Sequence, residues 1–131
     1  MNLNQVTVSV RDIAASVDFY SCLGLDLIVR APHYARFRCP EGEATFSVHL
    51  APDHDAATGA TVVYFEVSKL DETVMELHRK GVPFLQEPRD EPWLWREARL
   101  ADPSGNVICL YWAGVHRLNP PWRIRGAAGT E

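Results

Sequence analysis

The chain opens on strict alternation. Val6, Val8 and Val10 fall on one parity and Gln5, Thr7 and Ser9 on the other, which is the signature of a half-buried strand. The period then changes. Asp12 stands where a helix N-cap is wanted, and Ile13, Val17, Tyr20 and Leu23 follow at helical spacing. Gly24 ends that run where a left-handed C-cap is expected. The same sequence of periods returns further along. A shift that carries Gln5 onto Val62 superposes Gln5–Leu27 on Val62–Phe84 without a gap. Val6, Val8, Val10, Ile13, Val17, Tyr20, Leu25 and Leu27 then fall on Val63, Phe65, Val67, Leu70, Val74, Leu77, Val82 and Phe84, and Gly24 falls on Gly81. An internal repeat of this kind is a statement about the whole fold.

Both copies continue in parallel. The second helix is expected to begin at a capping box made by Ser68 and Asp71. Short strands are expected near Asp26–Ala31 and Pro83–Gln86. A hairpin follows in each copy: Ala35–Cys39 and Ala44–Leu50 around Pro40-Glu41-Gly42, then Trp95–Ala101 and Val107–Trp112 around Asp102-Pro103-Ser104-Gly105-Asn106. Pro early and Gly late in each turn suit its backbone. The chain therefore reads as two βαβββ repeats in one α+β domain over residues 1–114. Repeat one covers about 4–50, a polar linker 51–60, and repeat two about 61–113. Residues 115–131 read as an extended tail that either wraps onto the body through Trp122 and Ile124 or is a loose end with a stray aromatic.

Composition narrows the function without naming it. Hydrophobic residues make up 47% of the 131 residues and charged residues 23%, the balance of an ordinary globular domain. With 13 basic and 17 acidic side chains the net charge is −4, which argues against nucleic acid as a partner. No apolar run is long enough to span a membrane. Met1–Gln5 has neither the basic nor the apolar region of a signal peptide, and Cys22, Cys39 and Cys109 form no paired motif. The expectation is a cytoplasmic protein with reduced thiols.

Strand parity then selects candidate chemistry. On the second face of each sheet stand Gln5, Thr7, Ser47 and His49 from the first repeat. Val62, Tyr64, Glu66, Trp95, Glu97, Arg99, Cys109 and Tyr111 come from the second. Aromatic walls with a few polar groups are what a small-molecule cleft requires. Tyr64, Trp95 and Tyr111 would enclose a ligand, while Gln5, Thr7, Ser47, His49, Glu66, Arg99 and Cys109 would line and orient it. Glu97 or His49 is the candidate general base. Structural alternatives stand beside these readings. Glu97 and Arg99 could be a neighbouring ion pair, His49 a wall residue, and Cys109 a small buried hydrophobe. Glu91-Pro92-Trp93-Leu94-Trp95 reads as a rim, with Trp95 turned inward and Trp93 outward or against another surface.

These patterns resemble the vicinal oxygen chelate superfamily, which includes glyoxalase I, extradiol dioxygenases, fosfomycin-resistance enzymes and bleomycin-binding proteins. The residues that carry the resemblance are Val8-Ser9-Val10-Arg11-Asp12-Ile13, Ser16, Phe19-Tyr20 and Leu23-Gly24-Leu25 in the first repeat. In the second they are Phe65-Glu66-Val67, Leu70, Gly81-Val82, the turn Asp102–Asn106 and Leu110. The resemblance spans about Gln5–Ala113. It implies a curled eight-stranded mixed sheet around a cleft, and a homodimer, with the cleft either within one chain or shared between two. It also implies four metal positions, one on each inward-facing strand, which transfer to Gln5, Ser47, Val62 and Cys109. Val62 has no donor atom and Ser47 is a weak one, so no metal is expected there. A slip along the strands would instead gather His49, Glu66, Glu97 and Tyr111, the set a metal-dependent lyase, isomerase or dioxygenase would need. The readings left open are a metal-free protein binding a small organic ligand, that displaced-ligand enzyme, and an interaction module with a vestigial cleft.

Overall fold

The computed structural model describes residues 1–51 and 61–124. The linker (apart from Ala51), His54 and the chain after Ile124 lie outside the described residues. The first module comprises β1 (Gln5–Val10), α1 (Ile13–Cys22), β2 (Asp26–Ala31), β3 (Tyr34–Arg38) and β4 (Thr45–Leu50). The second repeats that order with β5 (Val62–Glu66), α2 (Leu70–Arg79), β6 (Gln86–Asp90), β7 (Arg96–Ala101) and β8 (Val107–Trp112). The architecture is α+β, two βαβββ modules with eight strands in two four-stranded mixed sheets. Their strand orders correspond: β1-β4-β3-β2 and β5-β8-β7-β6. The first and last strands of each module run parallel and the hairpins antiparallel. Consequently β1 and β5 each hold the end of a sheet and carry one unpaired edge.

The helices begin and end for local reasons. Asp12 accepts the amide of Ala15 at 3.0 Å, as an N-cap should. Gly24 and Gly81 take φ of +103° and +86°, values that strain a residue bearing a Cβ. The capping box expected at Ser68 is not formed. Lys69 is the N-cap of α2, without a side-chain cap. Asp71 instead turns to β7, where Arg96 donates to its two oxygens at 3.0 and 3.2 Å, and this stronger charge-assisted pair takes the carboxylate away from the helix start.

The sixth strand also lies later than expected, at Gln86–Asp90 rather than Pro83–Gln86. It is an edge strand with a register shift between Gln86 and Arg89, and that irregularity accommodates Pro88 where no ladder donor is needed. The tail departs from the wrapped expectation too. Gly114–His116 form a short 3-10 turn, and Trp122 and Ile124 are 57% and 78% exposed rather than packed on the body.

The buried core draws on both modules. Tyr20 of α1 packs on Phe37 and Phe46, and Phe46 meets Phe65 of β5 at 5.5 Å between ring centroids. A polar clasp sits beside it. The turn between β7 and β8 places buried Asp102 so that one oxygen accepts the amides of Ser104 and Asn106 and the other accepts the Tyr20 hydroxyl at 2.7 Å. Asn106 Nδ2 donates to the Ser9 carbonyl, and Ser104 Oγ accepts the Arg11 amide at 2.8 Å. The turn of the second module is thereby fastened to the end of β1 and to α1. No helix among the described residues is long and apolar enough to cross a membrane.

Candidate functional site

Alternation along the strands sends the core residues to the helix-covered side and leaves the opposite face of each sheet for other work. On the first module that face carries a hydrogen-bonded group. Gln5 Nε2 donates to Ser47 Oγ at 2.8 Å and to Thr7 Oγ1 at 3.0 Å. Ser47 is buried and shares a 2.7 Å hydrogen bond with the Tyr34 hydroxyl, which in turn accepts from Arg36 Nε at 2.8 Å. The hydrogen bond with Ser47 draws the Tyr34 phenol below its ordinary pKa, with Arg36 adding to the effect. His49 lies on the same parity, exposed, opposite Tyr34 and Ser9. Tyr34 and Arg36 belong to this face and were not among the sequence candidates. The signal was available in β3, where Tyr34, Arg36 and Arg38 alternate with Ala35 and Phe37.

The face on the second module is aromatic. Trp95 stacks on Tyr111 with centroids 4.7 Å apart and an interplanar angle of 22°. Tyr64 stands edge-on to both, at 5.9 Å from Trp95 and 5.6 Å from Tyr111. Arg99 lies over Tyr64 at 5.8 Å, and its Nη2 donates to the Tyr64 hydroxyl at 3.1 Å and to Glu97 Oε1 at 3.2 Å. Glu97 is only 1% exposed. Its second oxygen accepts the indole N–H of Trp93 at 2.7 Å. The expectation that Trp93 turns away is therefore corrected. Although its ring is partly exposed, its nitrogen reaches inward, because Leu94 adopts φ of +69° and closes a tight turn between Trp93 and Trp95. Both Glu97 oxygens thus serve neighbours.

Cys109 is fully buried on the same face. Burial first, and the nearby Glu97 carboxylate second, push its thiol up to about 12, so it is a neutral small side chain. Burial and then Glu66 likewise raise the Tyr111 phenol. For Arg99 burial acts against the cation, but the hydrogen bond it donates to the Glu97 carboxylate leads the contributions that outweigh burial, and the guanidinium pKa rises. Glu66 is engaged elsewhere. One oxygen accepts the amides of Ala113 at 3.0 Å and Gly114 at 2.9 Å, and the other lies 3.7 Å from Arg117. It fastens the start of the tail to β5.

The residues expected to form one site therefore stand as two groups. Gln5, Thr7 and Ser47, with Tyr34 and Arg36, bond to one another; Tyr64, Trp95, Glu97, Arg99 and Tyr111 do the same around Cys109. Among the described residues, the hydrogen bonds, ion pairs and ring contacts of each group stay within its own module. A groove of about 540 Å³ separates the modules beside β5, walled by Leu25, Cys39 and Ala44 on one side and by Phe65, Val67 and Leu110 on the other.

The family-type metal positions do not make a ligand set. Val62 lacks a donor, the Ser47 hydroxyl is committed to Gln5 and Tyr34, and Cys109 is one soft ligand, which alone does not make a site. The displaced set is not gathered either. His49 is on the first module, while Glu66 and Glu97 bond to separate partners on the second. No group of three or more His, Cys, Asp or Glu suited to a metal occurs among the described residues.

Comparison with known proteins gives a consistent picture. The sequence signature described as the Glyoxalase/Bleomycin resistance protein/Dioxygenase superfamily matches residues 2–110. A protein of Bacillus subtilis (strain 168), described as uncharacterized protein YraH, is 30% identical over 125 residues, covering 85% of this chain and 98% of its own length. The crystal structure of a glyoxalase/bleomycin resistance protein/dioxygenase from Nocardioides superposes with a TM-score of 0.73 at 24% identity, over 95% of this chain and 89% of that one. A bleomycin-binding protein in complex with bleomycin superposes with a TM-score of 0.69 at 17% identity, over 86% and 98%.

Proposed function

The chain belongs to the glyoxalase/bleomycin resistance protein/dioxygenase superfamily, and from that premise we propose that it binds a small organic ligand in a cleft lined by the two polar and aromatic faces. The observation that carries this reading is the wall of Trp95, Tyr111 and Tyr64 with Arg99 beside it on one sheet face. Such a surface offers flat apolar area and fixed donors together, which is how small ligands are both held and oriented. Tyr64, 42% exposed in the single chain, leaves part of that aromatic wall open to an occupant.

The cleft is completed by a second copy of the chain. The two faces bond only within their own modules, and the strands that bound them, β1 and β5, each end in an unpaired edge. Joining β1 of one copy to β5 of another satisfies those edges. A two-fold dimer does this twice and brings each first-module face to a second-module face. The ligand set supports binding without the metal usual in the superfamily, and the three free cysteines suit a reducing, cytoplasmic setting.

Native mass spectrometry of the purified protein against a defined library of small organic molecules tests the reading, together with elemental analysis. The expected result is a dimer that retains one class of ligand, loses it on Trp95→Ala, and carries no stoichiometric zinc, nickel, manganese or iron. A metal-loaded protein whose ligand capture disappears with chelator would overturn the metal-free assignment. Absence of any Trp95-dependent ligand would overturn the cleft itself.

A further inference from the structure

Within the cleft reading, on which this inference rests, the geometry points to a ligand class: a planar aromatic monoanion, an aryl carboxylate, with its ring against Trp95, its charge on Arg99, and Glu97 as the positioning residue that aims Arg99. The aromatic part follows from the wall itself. Trp95 and Tyr111 are nearly parallel and Tyr64 closes one side edge-on, so a flat ring extends the stack where an aliphatic group would leave the wall poorly covered.

The charge follows from how Arg99 is spent. A guanidinium has five N–H donors. Here Nη2 serves Tyr64 and Glu97, while Nε and Nη1 have no protein acceptor among the described residues. Arg99 is partly buried, and its remaining donors open to solvent in the single chain, where an incoming acceptor can meet them. A carboxylate satisfies them with charge-assisted bonds; a neutral amide does so more weakly. A cationic ligand is disfavoured on two counts. It would meet like charge at Arg99, and the Tyr64 ring face that would attract it is already occupied by that guanidinium at 5.8 Å. Arg36 on the first-module face carries the same sign. Glu97 neutralises only one of these cations, which leaves room for one further negative charge rather than two.

Glu97 does not hold a free oxygen for proton transfer. Oε2 is bonded by Trp93 and Oε1 by Arg99, and the side chain is enclosed. Its effect on a ligand passes through the orientation of Arg99. Trp93 braces the carboxylate from the rim, so the turn at Leu94 connects the rim to the anion subsite.

Titration of the intact protein with 1-naphthoate, followed by tryptophan fluorescence and calorimetry, tests the class. 1-Naphthamide, 1-naphthylmethylammonium and cyclohexanecarboxylate are the comparison ligands. The expected order is naphthoate at least about tenfold tighter than the amide, with the ammonium weakest and the cyclohexane acid well below naphthoate. Arg99→Met should bring naphthoate down to the amide's affinity. Glu97→Gln should reduce the naphthoate-to-amide ratio by weakening naphthoate more than the amide, a split that a merely structural role would not produce. Trp93→Phe removes the indole donor while keeping an aromatic ring at the rim and should shift the same ratio in the same direction, so the positioning role stays testable if Glu97→Gln does not fold. Equal affinity for naphthoate and naphthamide would refute the anion assignment and leave the cleft standing. Equal binding of the cyclohexane acid would refute the aromatic part. An unchanged ratio in both Glu97→Gln and Trp93→Phe would refute the positioning role. If none of the four binds while the library yields another Trp95-dependent ligand, the class is wrong and the cleft is right; if nothing binds, both fall.

Discussion

Asp102 ties its own turn to the core that the two modules share. Its carboxylate accepts from two amides of its own turn, from the Tyr20 hydroxyl and from Asn106 Nδ2, at 2.7 to 2.9 Å. All four donors lie in or beside the core that the two modules share. Removing the acceptor strips the Tyr20 hydroxyl and the two turn amides of their carboxylate partner and leaves Asn106 Nδ2 only the Ser9 carbonyl, so the cost exceeds that of one lost bond. Asp102→Ala is expected to lower unfolding stability by about 3 kcal/mol or more, as two or more charged hydrogen bonds are lost at once. Tyr20→Phe removes one donor and leaves the carboxylate otherwise satisfied, so about 1.5 kcal/mol is expected from the same series. Urea denaturation of the two variants and the parent checks the ranking. Equal destabilisation by both would mean that the turn contributes nothing beyond the tyrosine contact. The residue was readable from the Asp-Pro-Ser-Gly-Asn run as a turn former. Its reach to Tyr20 was not, because that contact depends on how two distant elements pack.

At the level of elements, periodicity located what local chemistry decides and missed what neighbours decide. Alternation fixed the parity of β1, β4, β5 and β8, and the two glycines marked both helix ends, because these depend on residues a few positions apart. The start of α2 depended on Arg96, which stands across the fold and draws Asp71 away from the helix. Pro88 could sit in β6 only because that strand is an edge with a register shift. The Trp93–Glu97 bond depended on a left-handed leucine that no pattern announces. Helix α2 consequently begins with an uncapped first turn behind Lys69. Lys69→Asn supplies a side-chain acceptor without adding to the acidic charge of Asp71 and Glu72 already there, and about 1 kcal/mol of added stability is expected. Chemical denaturation measures it, and an unchanged midpoint would show that a cap is not what this terminus lacks.

For the molecule as a whole, the repeat determined that there are two modules but not which faces meet. Seven of the eight matched apolar pairs speak only of the helix-covered side, which both modules bury in the same way, while Leu27 is 38% exposed where its counterpart Phe84 packs on the core. Parity assigns the candidate residues to the other side. Their division into two groups was invisible, since parity is the same whether two faces belong to one cleft or look outward for a partner. If each cleft joins the first-module face of one copy to the second-module face of another, two kinds of damage become separable. Thr7→Trp fills the first face, where Thr7 is exposed in the single chain, and Trp95→Ala removes the wall of the second. Each variant alone should bind 1-naphthoate poorly. Unfolded, mixed in equal amounts and refolded together, they should form mixed dimers in which one cleft carries both substitutions and the other carries neither. About a quarter of all clefts should then recover parent affinity, the share expected when copies pair at random about a two-fold axis. Calorimetric stoichiometry of the mixture reads that fraction. A cleft built within one chain gives no recovery at any mixing ratio, because every chain then keeps its own defect.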